Sequence, residues 1–330
     1  MVGHAPDGPA VDGLSVRFGL RRMAGLAPVG WRRWVVLFAV VAAFASAASF
    51  AGGSALQHRV ASAPSASEES RTGFIARLVR RPSWLIGLGL SAVAFGLHAL
   101  ALSQGDLALV QPVIVSGIVF AVLIRAGLDR RWPPRRTMIW LVLTWAGLAL
   151  FLLVRPTATT NSVHSSLAPL FVLIGGVLVI VAMLVARRSQ QDRLRGLLLG
   201  SAAGLLFGLV AGLLKLVLAQ ASQGWGQVFT HWTLWTLVAV GAWAIVVNQR
   251  AYQATRISLT APALNISQVM VAIAFGILVL GEQVGSSAGV VTGEVVGLTV
   301  TILGVRNLAA LPTNARDTDT TDVPVTAGRD

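Results

Sequence analysis

The chain has 330 residues, of which 55% are apolar and only 12% charged, and its mean hydropathy is +0.73. An average soluble domain is about 25% charged, so a soluble globular protein is excluded, as are disulfides, thiol catalysis and cysteine-ligated metal, because the chain has no cysteine. The formal charge of +13 invites a nucleic-acid reading, but all but one of the 26 basic residues are Arg, set mostly in short segments between apolar runs. That placement fits orientation in a bilayer, and no nucleic-acid partner is expected.

A transmembrane helix needs roughly 20 mostly apolar residues. About nine runs qualify, at 34–56, 83–103, 107–127, 137–154, 168–187, 196–219, 231–250, 257–280 and 285–306. The expected fold is an all-α integral membrane protein. Residues 1–33 read as an unstructured extension. Its Arg17, Arg21, Arg22, Arg32 and Arg33 conflict with an N-terminus outside, and the native chain is expected to begin near Met23 or later. Arg32–Arg33, the apolar run and Ala45-Ser46-Ala47 mimic a cleavable signal. Cleavage would export the Arg-rich 57–82 loop, which argues against it.

Between the spans, Arg clusters mark alternate loops. Arg59, Arg71, Arg77, Arg80 and Arg81 come first, then Arg125, Arg130, Arg131, Arg135 and Arg136, then Arg187, Arg188, Arg193 and Arg195. Arg250 and Arg256 follow, and Arg306, Arg316 and Arg329 lie beyond span 9. The other loops hold only Arg155. The positive-inside rule places the Arg-rich loops and the C-terminus in the cytoplasm. Trp34, Trp84, Trp140, Trp232 and Trp235 lie near span ends, where indole favours the interface. Residues 307–330 read as a disordered cytoplasmic tail.

Short links join spans 2 and 3 and spans 8 and 9. Laying 107–125 on 264–282 sets Gln111 on Gln268, Val122 on Val279 and Leu123 on Leu280. A first repeat over 34–154, a linking helix and loops over 155–195, and a second repeat over 196–306 give a 4 + 1 + 4 order. An offset of five spans makes the two repeats run in opposite directions, and solute sites in such folds lie near the midplane between the halves.

Span 6 carries Gly196, Gly200, Gly204, Gly208 and Gly212, and span 9 carries Gly285, Gly289, Gly293 and Gly297. Residues four apart share a helix face, so each series is expected to pack closely against a neighbour, as small residues do where lipid supplies no hydrophobic drive. Ionisable groups inside the spans are few. Glu294 is expected near the midplane as a proton carrier or cation ligand. Lys215 is expected to snorkel outward from the outer part of span 6. His98 and Gln111 lie at a similar outer depth near Asp106, and Asn265 and Gln268 near the middle; these polar groups are candidates to line a solute path or to bond between helices. Pro112 and Pro262 can unwind a turn and free carbonyls. No paired carboxylates, triad or phosphate loop suggests an enzyme, and neither a cofactor nor a dedicated metal cage is expected, although Asp106 and Glu282 could attract cations at the outer mouth.

The order of spans, Gln57-His58-Arg59 closing span 1, Gln111-Pro112, Asn248-Gln249-Arg250-Ala251-Tyr252, and Gly281-Glu282 before the span 9 glycines resemble the drug/metabolite transporter superfamily, in particular EamA-like members and the nine-span magnesium-transporter-like branch. The resemblance covers residues 34–306. It implies two inverted repeats about a central cavity and movement of a small solute, with or without protons, by alternating access. Members usually have ten spans, so the first half stands one short. The alternatives are divalent-cation transport and a structural membrane subunit that carries nothing; a homodimer stays open.

Overall fold

In a computed structural model of the chain, residues 29–61, 80–128, 130, 132–155, 164–254, 257–283 and 287–309 are described. Most of the N-terminal extension, much of the first Arg-rich loop, Gly285 and the tail from residue 310 lie outside them. Every regular element among the described residues is helical. Nine helices among them are long and apolar enough to cross a membrane, and the chain is an all-α multi-pass membrane protein.

The spans form where expected, with informative departures at their ends. Span 1 is Val29–Ala61, span 2 Pro82–Gln104, span 4 Arg135–Val154, span 5 Ala168–Arg188, span 6 Asp192–Ala221, span 7 Trp232–Ala254, span 8 Ile257–Leu278 and span 9 Ala288–Ala309. Span 3 is two helices, Leu107–Val115 and Gly117–Leu128, parted at Ser116. There the hydroxyl turns back to donate to Val113 O at 2.6 Å. Pro112 itself sits inside the first helix and Pro262 inside span 8, so neither proline unwinds its own turn. A short helix that the sequence did not suggest, Trp225–Thr230, follows Gly224, whose φ of 142° suits glycine. It buries Val228 and exposes Trp225 and Phe229, the character of an element lying in the interface.

Inside a bilayer, backbone groups are satisfied within each helix, and association rests on close packing. Span 1 packs along span 2 and both parts of span 3; span 6 packs along spans 7 and 8; span 4 lies along span 9; span 3 meets span 8. Under a five-span offset the first two sets exchange, and the contacts 3/8 and 4/9 each map onto themselves. Span 5 touches chiefly span 6 and presents Leu173, Ile174, Val177 and Leu178 outward, a lipid-facing surface at the edge of the bundle.

Span 6 is the most enclosed of the nine, and its glycines explain how. A Cβ at Gly200 would meet Thr260 O, at Gly204 Leu264 O, at Gly208 Gln268 O at 2.9 Å, and at Gly212 the Phe275 ring at 2.5 Å. One glycine per turn therefore lets the backbone of span 8 lie directly on span 6, and Gly196 is buried as well. The span 9 series behaves differently. Gly297 lies against Phe151 N and Gly147 O of span 4, at 2.6 and 2.8 Å from the position of a Cβ, and Gly293 faces Val154 at 2.8 Å. Gly289 has open space around it, so it packs against nothing. The contact instead runs on to Gly304, which faces Thr144. The 4/9 seam thus drifts off the four-residue series, as a 3.6-residue helix must.

Candidate functional site

Three polar groups meet where spans 2, 3 and 8 converge. Gln111, fully buried, accepts at Oε1 from Gln268 Nε2 at 3.3 Å, and its own Nε2 lies 3.3 Å from His98 Nε2. Gln111 and Gln268 are the pair that the repeat alignment superposes, and they meet each other, as equivalent residues do on an axis between two halves. The alignment fails further along: Val122 and Leu123 are helical, whereas Val279 and Leu280 lie in the turn after span 8. Asn265, one turn from Gln268, faces a separate shallow groove between spans 3, 8 and 9, whose other walls include Pro112, Val115, Val269 and Leu298.

Glu294 stands elsewhere. Span 9 begins at Ala288 rather than residue 285, so Glu294 is six residues in, or about 9 Å at 1.5 Å per residue, short of the midplane. Nor is it a lone acid. Arg155, immediately after span 4, brings Nη1 to 3.8 Å from Glu294 Oε1, with both side chains more than nine-tenths buried. The guanidinium lies 5.6 Å from the Phe151 ring centroid. The pair is long for a hydrogen bond, and Arg155 Nε and Glu294 Oε1 are both buried without a hydrogen-bond partner. A buried charged pair left incompletely satisfied is unusual enough to demand an explanation.

Lys215 does not snorkel into water. Its ammonium donates to Glu282 Oε1 at 2.7 Å and to Gly105 O at 2.8 Å, with Asp106 Oδ1 at 3.8 Å. The Glu282 carboxylate also accepts from Leu107 N at 2.6 Å and Ala108 N at 3.0 Å, the first two amides of span 3. Free amides at a helix start favour an anion there. A Cβ at Gly276 would sit 2.5 Å from Glu282 Oε2, so only glycine leaves room for the carboxylate. Burial would raise the Glu282 pKa; the Lys215 charge and hydrogen bond, with the two backbone amides, outweigh it and hold the carboxyl below its ordinary 4.5.

Sequence reasoning singled out Glu294 and Lys215 and missed what each is tied to. Arg155 was noticed only as a stray base in an outer loop, and Glu282 only as a surface acid. Among the described residues no group of three His, Asp or Glu stands together in the manner of a metal site.

No family model matches the chain, and no solved structure matches it. It is similar to an uncharacterized protein of Corynebacterium glutamicum, 26% identical over 249 residues, a stretch covering 75% of this chain and 86% of that protein. The match assigns no activity.

Proposed function

We propose that the chain is a secondary transporter, a carrier rather than an enzyme, that moves a small metabolite across the cytoplasmic membrane by alternating access. It belongs by this reading to the drug/metabolite transporter superfamily and keeps its C-terminus in the cytoplasm. The observation that carries the reading is the meeting of Gln111 and Gln268 at the contact between spans 3 and 8. Polar groups in a span cost energy and gather where two halves enclose a path. The two contact sets that exchange under a five-span offset support two inverted repeats, and a 4/9 seam with several glycine contacts suits one half moving on the other.

In the proposed carrier, His98, Gln111 and Gln268 line the solute path, and Asn265 lies beside it. Glu294 carries the coupling proton, with Arg155 as its alternate partner: a proton on Glu294 frees Arg155, and its loss restores the pair. The test is solute flux in proteoliposomes. Uptake should respond to an imposed proton gradient in the parent, and the response should vanish in Glu294→Gln. Flux insensitive to both would remove the coupling role and leave the carrier reading standing.

A further inference from the structure

A set of polar bonds joins the two halves at one end of the bundle. At the end that carries the links 2–3, 4–5, 6–7 and 8–9, Lys215 of the second half donates to Gly105 O of the first. Glu282 of the second half accepts from Leu107 N and Ala108 N of the first. The 2.7 Å Lys215–Glu282 bond makes these a single assembly, and nearby His164 N donates to Val279 O at 2.9 Å. At the opposite end the halves share an apolar cluster, Val119 and Leu141 with Leu308, flanked by Ile118, Val122 and Trp140.

A charged assembly is an odd choice for a permanent clamp. A buried ion pair is often no more stabilising than apolar residues of the same volume. It differs from an apolar clamp when parted, because at the membrane–water boundary both charges and both amides can be hydrated. Apolar surfaces parted at the same place would resist water. Close to the assembly, Val110, one turn into span 3, is fully buried and lies next to Gln111.

We propose that Lys215 and Glu282 form a reversible lock closing this end of the bundle, and that water reaches the Val110–Gln111 level from this side only when their bond opens. The lock rests on the alternating-access reading, for which the structure then stands as the form closed at this end. Opening withdraws Glu282 from the span 3 amides and Lys215 from Gly105 together, since Glu282 Oε1 accepts from both Leu107 N and Lys215 Nζ, and Lys215 Nζ is itself the donor to Gly105 O.

The natural absence of cysteine permits a direct test on the full chain in membrane vesicles of both orientations. One reporter is Val110→Cys; a control is Ala203→Cys, at a fully buried position of span 6. A membrane-impermeant maleimide reacts with thiolate, which forms only where water reaches the sulfur. Both reporters should label slowly in the parent. Adding Lys215→Met, or Glu282→Gln, which keeps the shape and an acceptor for the amides, should raise labelling at position 110 about tenfold, the factor expected from losing one charge-assisted hydrogen bond. Labelling at 203 should stay unchanged. No rise at 110 in either variant would overturn the lock. A parallel rise at 110 and 203 would also overturn it, by showing a staple whose loss loosens the whole bundle. The readout needs no solute, so a rise at 110 in a protein that moves nothing in proteoliposomes would keep the lock and remove the transport reading.

Discussion

Glu282 shows how one side chain gains a role from its surroundings. Its carboxylate is held by an ammonium and two amides, so removing its charge leaves Lys215 buried with a weakened partner. Breaking a buried pair costs about 3–5 kcal/mol; Glu282→Gln, which keeps an acceptor, should fall near the lower end, about 3 kcal/mol. The check is thermal unfolding of the purified protein in detergent. The same bonds set a pH dependence. The folded pKa of Glu282 lies below the ordinary 4.5, so its contribution is complete above that value and is lost as pH falls through the lower, folded one. Melting temperature should therefore drop on acidification below about pH 4.5, and Glu282→Gln should flatten that part of the curve. A variant with the same acid slope as the parent would place the titration elsewhere. The bonds were not legible in the sequence, where Glu282 reads as an acid that could attract cations at the outer mouth. The partners come from spans 3 and 6, and only folding brings them together. The pairing of Arg155 with Glu294 was hidden for the same reason.

At the scale of the helix, the legible features were those with a period. Hydropathy sustained over some 20 residues gave nine spans, and glycine at every fourth residue gave the face of span 6 that lies on span 8. The four-residue series in span 9 misled at Gly289 because span 4 ends at Val154, which Gly293 already faces. At its other end the seam moves to Gly304, and it is completed by Gly147, a single glycine in span 4 with no periodic signal of its own. The contrast makes a matched pair of substitutions. Gly204→Val, forced against the Leu264 carbonyl, should destabilise by about 3 kcal/mol or more, the upper range for overpacking. Gly289→Val, with open space around it, should change the melting temperature little. Equal effects would mean that span 6 does not rest on span 8 as described. Replacing Gln111 by Leu should cost about 1 kcal/mol, the scale of an interhelical hydrogen bond in membranes. If it lines the solute path, its effect on flux should be much larger than that on stability.

For the molecule as a whole, a 4 + 1 + 4 order was legible as a pattern of loop lengths and one pair of glutamines. Among the described residues, spans 3 and 8 meet at Gln111 and Gln268 and spans 4 and 9 share a glycine seam, contacts that the proposed repeats would each map onto themselves. On the carrier reading the solute was not legible, because the polar groups deep in the spans are few and make most of their bonds to one another. Its identity has to come from the cell. The most direct measurement is comparative metabolite profiling of strains lacking and overproducing the protein, inside the cells and in the medium. The carrier reading predicts one small solute whose distribution across the membrane shifts in opposite directions in the two strains. Profiles that match the parent in both strains would contradict it.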